Sequence, residues 1–247
     1  MLAYINNPVM RLMTQGAVEA VLKATGDDAA VTVAFNGGDW TPMAAHDRLT
    51  VVAWTTRLGL GQAYNEVANA THEPFLVFMH NDCFPPEDGG EWLERLAAAA
   101  ACFGFAFPEV EEDGVDAAAR GIQPTYKGCP PSCCYVVRRD VWGRLGGFDQ
   151  IYEGCHFEDL DLFMRGIQSR CTMAQVDDVK VFHRRGMTRS VTVDESNAAF
   201  KRNADIYQRR WGGIDKARFP GVAKVTRQEL LGGETDGRSS DGTTETQ

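Results

Sequence analysis

Through residues 1 to 103 short apolar runs alternate with stretches of helical period, and that alternation admits few architectures. Strands separated by helices close into a mainly parallel sheet with helices on its faces. Leu2–Ile5 reads as a first strand. Residues 9 to 25 follow as a helix, with Val9, Leu12, Met13, Ala17, Ala20 and Val21 recurring near the helical period before Gly26. Residues 29 to 35 read as a second strand, ending in the turn sequence Asn36-Gly37-Gly38-Asp39. Leu49–Trp54 supplies a third apolar run, and Gly59 and Gly61 open a helix that continues to Ala70. Phe75-Leu76-Val77-Phe78-Met79 is unbroken, as expected of a central strand buried on both faces, and His80-Asn81-Asp82 stands at its carboxyl end.

Beyond that point the pattern predicts an Ala-rich helix over residues 91 to 103 and a polar, acidic loop over 108 to 126. A strand over 132 to 137 and a short helix over 139 to 145 come next, the helix closed by Gly146-Gly147. A loop to His156 leads into a helix over 157 to 168, then a strand over 176 to 182 and a helix over 196 to 211. With 247 residues and 44% hydrophobic content, the chain can bury one substantial core, expected as a single α/β domain over residues 1 to 231. Residues 232 to 247 carry four acids, one Arg and no large apolar side chain, so a disordered tail is expected there.

A net charge of -9 opposes a general role in coating nucleic acid, which draws its affinity from clustered Lys and Arg. The N-terminal segment is broken by Asn6, Asn7, Pro8 and Arg11, unlike a signal peptide, and no apolar run nears the roughly eighteen residues that span a bilayer. The expected compartment is the cytoplasm. Seven Cys, an odd number without regular spacing, suit reduced thiols. Cys129, Cys133 and Cys134 match no standard zinc knuckle and are expected as small buried thiols on a strand.

Three polar clusters stand out. Ligands of open α/β sheets sit beyond the carboxyl ends of strands, where His80-Asn81-Asp82 falls. On an extended backbone His80 and Asp82 project to one side, towards a single cation or diphosphate, with Asn81 turned away; a polar triplet can also simply end a strand. The stretch Phe157 to Arg165 combines an apolar face of Leu160, Phe163 and Met164 with carboxylates at 158, 159 and 161. Acids in a first turn complement the helix dipole, and Asp161 with Arg165 reads as a surface ion pair. The remaining carboxylate stands where a general base would be held. His183 ends a strand just before Arg184, Arg185 and Arg189, an arrangement suited to a cation-ligating imidazole beside arginines that neutralise phosphate oxygens.

In this order the segments resemble glycosyltransferase family 2, from residue 2 to residue 212. The most specific stretch runs from Cys134 to His183: Arg138-Arg139-Asp140 after a strand, Leu145-Gly146-Gly147-Phe148-Asp149, then Phe157-Glu158-Asp159-Leu160-Asp161-Leu162. Gly59-Leu60-Gly61 to Asn65, and Arg202-Asn203 through Arg210-Trp211-Gly212, support it. The resemblance implies a GT-A (Rossmann-like) α/β/α sandwich around a mixed, mainly parallel central sheet. It also implies transfer of a sugar, with inversion, from a nucleotide diphosphate sugar donor to an acceptor hydroxyl. His80-Asn81-Asp82 occupies the place of the Asp-x-Asp motif, with Asp82 matching its metal-binding carboxylate and His80 replacing the first Asp. His183 matches a histidine that completes the metal site, for Mn²⁺ or Mg²⁺. Asp159 matches the catalytic base, with Glu158 as neighbour and acceptor contact. Asn6, Asn36 and Asp39 resemble positions that bind the base and ribose of the donor, and Gly61, Asn65 and Arg185 join them as donor contacts. The acceptor hydroxyl can lie on a glycan, a protein, a small molecule or a modified nucleic-acid base. Two alternatives stay open: a sugar-1-phosphate nucleotidyltransferase, although Asn6-Asn7-Pro8 lacks the Gly-rich basic loop expected of one, and a non-catalytic nucleotide-sugar or carbohydrate-binding module of the same fold.

Overall fold

Period-two burial on the strands and helical-period burial on the helices build two apolar clusters with the sheets between them. The computed structural model of the chain describes residues 1–5, 8–38, 43–89, 91–112, 129–184, 193–212, 222–226 and 229–230. The expected tail over 232 to 247 and most of the expected loop over 108 to 126 lie outside these residues. In chain order the elements are β1 (Leu2–Ile5), α1 (Pro8–Ala24), β2 (Val31–Gly38), β3 (Leu49–Trp54), α2 (Leu60–Asn69), β4 (Phe75–Met79) and β5 (Cys83–Phe84). They continue as α3 (Trp92–Phe103), β6 (Gly104–Glu112), β7 (Cys134–Arg138), α4 (Arg139–Leu145), α5 (Glu158–Gln168), β8 (Thr172–His183), α6 (Val193–Trp211) and β9 (Ala223–Val225).

The first three strands form a parallel sheet in the order β1-β2-β3. The others form a mixed sheet in the order β4-β7-β6-β8-β5, with β9 also on β8. In it β6–β8 and β8–β9 run parallel, whereas β4–β7, β6–β7 and β5–β8 run antiparallel. Mixed pairing thus agrees with expectation, while the strands divide between two sheets where one was expected. The strand β4 was expected at the centre but ends the pairing order of its sheet. Its unbroken apolar run is satisfied through its faces: Leu76 and Phe78 enter one cluster, and Phe75, Val77 and Met79 pack on the other. An apolar run reports which faces are covered, not how many neighbours a strand has.

One cluster joins α1 and α3 to the strands through Val18, Val21, Trp92, Leu96, Ala99 and Ala100. The other joins α2, α4 and α5 through Ala63, Tyr64, Val141, Trp142, Leu162 and Phe163. Each fully buried large apolar side chain contributes about 1.5–3 kcal/mol, so helices on opposite sides hold the strands between them. A smaller cluster of Tyr152, Phe157, Leu160 and Tyr207 ties α6 to the start of α5.

Two expectations change. The strand β2 runs through Gly38, so Asn36 and Gly37 belong to a strand end and not to a turn. The strand β6, which the sequence did not announce, begins at Gly104 and runs through Glu112 into the stretch where a loop was expected. Its acidic outer half is matched by Lys180 on β8, whose Nζ lies 3.8 Å from Glu109 and 3.2 Å from Glu111. The β6–β8 register slips between Pro108 and Glu109, where proline offers no N–H to the ladder. No helix among the described residues is long and apolar enough to cross a membrane.

Candidate functional site

The carboxyl end of β4 turns back at once: the Cys83 N–H donates to the His80 carbonyl at 3.2 Å, closing a tight turn over His80 to Cys83. The triplet is therefore bent, not extended as the residue spacing suggested. Convergence of His80 and Asp82 survives the bend, and Asn81 points away, its Nδ2 donating to Thr14 Oγ1 on α1 at 2.9 Å. The backbone of His80 is pinned by donation to the Cys133 carbonyl at 2.8 Å.

Strand pairing then brings in a third side chain able to ligate a cation. Cys83 stands opposite His183 in the β5–β8 ladder, and the Arg184 N–H donates to the Asp82 carbonyl at 2.8 Å. His183 Nε2 lies 3.3 Å from Asp82 Oδ1, and the His80 and His183 rings meet edge to face with centroids 5.7 Å apart. One ligand atom from each of His80, Asp82 and His183 falls within 4.8 Å of the other two. Donors about 2.1 Å from a common ion stand at most about 4.2 Å apart, so this triangle fits a divalent cation after a small contraction. Cys129, Cys133 and Cys134 do not join the group, although the Cys133 thiol makes side-chain contact with His183 and Cys83.

The electrostatics differ between the two imidazoles of the triangle. Burial lowers the pKa of His80, against the opposing pull of Asp82, and so favours the neutral imidazole that ligates metals. For His183, burial pulls down but the Asp82 carboxylate and the Cys133 thiol win, raising its pKa to about 10. Asp82 is held below its ordinary range because the His183 hydrogen bond and charge outweigh its burial. A cation bound here would have to displace the proton that holds His183 to Asp82.

The α5 helix delivers the carboxylates. Just before it, His156 and Phe157 both adopt left-handed backbone, with φ of 78° and 72°, at a cost of about 1–3 kcal/mol each. Asn203 on α6 holds them there: its fully buried Nδ2 donates to the carbonyls of Glu153, Cys155 and His156 at 3.1, 2.8 and 3.0 Å. The Phe157 ring packs on Phe200 and Tyr207 of the same helix. Asp159, half-buried in the first turn, accepts the Leu160 N–H at 2.7 Å. Its charge acts on His80, and also on Cys129, Tyr135 and Tyr207.

Glu158 is 5% exposed, and its Oε2 has no hydrogen-bond partner among the described residues. Burial first, and the neighbouring Asp159 charge second, push its pKa well above the ordinary 4.5. The folded state therefore holds this proton more tightly than the unfolded chain. That contribution is full below the unfolded value and is lost as pH rises towards the folded one. Glu158→Gln should accordingly raise the melting temperature more at about pH 8 than at about pH 5. Equal shifts at the two pH values would show that Glu158 is not a buried neutral acid.

The donor-site candidates prove to be tied into the frame. Asn36 grips the backbone of Leu58, accepting its N–H at 2.8 Å and donating to its carbonyl at 3.0 Å. Asn65 does the same to Phe148, at 2.9 and 2.8 Å. Gly61 sits where a Cβ would come within 3.0 Å of Phe148 Cβ and 3.7 Å of Glu158 Cβ, so α2 and α5 approach through it. Gly147 has φ of 69°, and a Cβ there would lie 2.6 Å from Asn65 Oδ1. Asn6, Asp39 and Arg185 lie outside the described residues.

Asp161 is not a surface ion pair, because it is fully buried. Arg165 Nε donates to it at 2.7 Å, Trp211 Nε1 at 2.9 Å and Tyr152 Oη at 3.2 Å, with Arg210 Nη1 3.1 Å away. Arg165 also donates to the Leu145 and Gly147 carbonyls at 2.6 and 2.8 Å. Neither this network nor the part played by Asn203 was read from the sequence. The pairing of Asp161 with Arg165 at four residues was the visible part, and the depth of burial comes from α6.

No family model matches the chain, and no curated protein matches it in sequence. Solved structures do match in shape. GalNAc-T7 with UDP, GalNAc and Mn²⁺ is similar with a TM-score of 0.56 at 13% identity, covering 74% of this chain and 42% of that one. The mannosyltransferase PcManGT from Pyrobaculum calidifontis, in complex with GDP-Man and Mn²⁺, is similar with a TM-score of 0.52 at 15% identity, covering 74% and 55%. S. aureus TarS 1-349 in complex with UDP is similar with a TM-score of 0.50 at 11% identity, covering 85% and 71%. The fold is GT-A. The chain spans about half the length of the first two of these proteins. Within its GT-A fold, the triangle of His80, Asp82 and His183 stands just past the carboxyl end of β4 and at the end of β8, the end of a strand being where α/β sheets hold ligands.

Proposed function

We propose that the chain is an inverting glycosyltransferase, placed with family 2 by its motif set, that moves a sugar from a nucleotide diphosphate sugar to an acceptor hydroxyl. The observation that carries this reading is the meeting of His80 and Asp82 with His183 from a distant segment, and the Asp159 charge acting on His80 supports it. Complexes of similarly folded proteins with UDP or GDP-Man and Mn²⁺ support it. His80, Asp82 and His183 hold the cation, which when bound supplies charge to stabilise the departing diphosphate. Asp159 takes the proton of the acceptor hydroxyl. A single base opposite the leaving group gives in-line attack and inverts the anomeric centre. Asn6, Asn36, Asp39, Gly61, Asn65 and Arg185 frame the donor, Asn36, Gly61 and Asn65 doing so by fixing the backbone around it. Seven free thiols support work in a reducing compartment, the cytoplasm.

Incubation with nucleotide sugars and Mn²⁺ should release nucleoside diphosphate together with a glycosylated acceptor or free sugar. Release of pyrophosphate would instead identify a nucleotidyltransferase, and binding without turnover a non-catalytic module. Asp82→Ala should abolish the Mn²⁺-dependent part of nucleotide-sugar binding in a thermal-shift titration, because two neutral imidazoles leave the cation without its carboxylate. Undiminished Mn²⁺-dependent binding would remove Asp82 from the metal site.

A further inference from the structure

We propose that Asn203 is a positioning residue of the transfer reaction, acting through the loop from Glu153 to His156 to hold the start of α5, and with it Asp159, in place. This role rests on the reading of Asp159 as the base. Each of the four consecutive carbonyls from Glu153 to His156 accepts a hydrogen bond from a neighbouring helix. Gly154 takes the Leu60 N–H of α2 at 2.6 Å, and Arg202 Nη2 of α6 reaches Glu153 at 2.7 Å. Asn203 serves the carbonyls of Glu153, Cys155 and His156 by itself. Its two amide hydrogens are shared among these acceptors, and only the donor end of an amide can face carbonyls, so its orientation is fixed. The side chain is 0% exposed and its Oδ1 has no partner among the described residues, so its hydrogen bonds are spent on this loop.

The loop controls the entry to α5. A helix ordinarily starts from a Ser, Thr, Asp or Asn in extended backbone whose side chain bonds the first-turn N–H groups. Here Phe157 stands at that position in left-handed backbone, and no side chain caps the helix from it. The direction of α5 is therefore set from outside, through His156 and Phe157, the third and second residues before Asp159. Strain of this kind persists only where the surroundings over-determine it, and it gathers at active sites. Misplacing a reacting group by about 1 Å can cost about a hundredfold in rate. The triangle of His80, Asp82 and His183 stands at the ends of β4 and β8, so donor affinity is independent of this clamp.

The test measures nucleoside diphosphate release from UDP-, GDP- and dTDP-sugars with Mn²⁺, and equilibrium binding of the sugar nucleotide turned over, on the same preparations of the full chain. Asn203→Asp keeps the side-chain size and removes the amide donor; it should lower kcat by about tenfold to a hundredfold with donor Kd within about twofold. Asn203→Ser keeps one small donor, covers the case in which the Asp variant does not fold, and should lower kcat by at least about threefold. Glycine adopts the φ of 78° found at His156 without strain, so in a His156→Gly background the Asn203 substitution should cost less than about threefold. In an Asp159→Asn background, with the base already gone, it should also add less than about threefold. Unchanged kcat in folded Asn203→Asp or Asn203→Ser overturns the role, as does a loss of kcat matched by loss of donor binding, or a full further loss in either double variant. If Asp159→Asn lowers transfer and the Asn203 variants do not, this role alone falls. Transfer undiminished by Asp159→Asn, or no release from any sugar nucleotide by the natural protein, overturns the reading it rests on.

Discussion

Asp159→Asn is expected to lower sugar transfer by about a hundredfold to ten-thousandfold while leaving nucleotide-sugar affinity within about twofold. The substitution is close to isosteric. Its carbonyl oxygen still accepts the Leu160 N–H that now meets Asp159 Oδ1 at 2.7 Å, so the first turn of α5 keeps its shape. What disappears is the ability to take a proton from the acceptor. The metal triangle is built from β4, β5 and β8 and gains nothing from Asp159 as a ligand, so donor binding should persist. Transfer rates and donor affinity measured on the same preparation settle the matter. A variant that keeps more than about a tenth of its activity, or that loses donor affinity as far as Asp82→Ala does, would assign the base elsewhere.

Asp161→Ala, two residues along the same helix, should act on stability. It leaves Arg165 only 14% exposed without its carboxylate, and orphans the donors of Trp211 and Tyr152. Breaking one side of a buried ion pair costs about 3–5 kcal/mol, which for a domain of this size lowers the melting temperature by about 6–20 °C. Replacing Asp161 and Arg165 together with apolar residues should not restore stability, because Arg165 also holds the carbonyls of Leu145 and Gly147. A melting temperature within about 2 °C of the natural protein for Asp161→Ala would show that the network adds little.

The contrast between these two carboxylates explains what was legible in the sequence. Strand positions in the first half follow local apolar runs, and Leu2–Ile5, Leu49–Trp54 and Phe75–Met79 appear where those runs stand. His80, Asp82 and His183 were recognisable because polar groups at strand ends stand out against apolar neighbours. Asp159 and Asp161 look alike in the sequence, yet one is half-buried and the other fully buried under Trp211. That difference is decided by α6, whose contact with α5 no local pattern announces. The same holds for Asn203, whose amide holds the left-handed backbone at His156. The whole of β6 was missed, its inner residues Gly104 to Phe107 left unassigned and its outer half for a different reason: Glu109, Glu111 and Glu112 look like loop residues until Lys180 is placed beside the first two.

The two-residue strand β5 has a consequence for biosynthesis. The ladder opposite Cys83 comes into being only when His183 arrives, roughly a hundred residues after His80 and Asp82 have left the ribosome. A nascent chain holds two of the three metal-capable side chains and no partner strand to fix them. Under the proposed function metallation would therefore be a late step, coupled to docking of β8, and a fragment ending before that strand would carry the histidine and the carboxylate without the third side chain of the triangle.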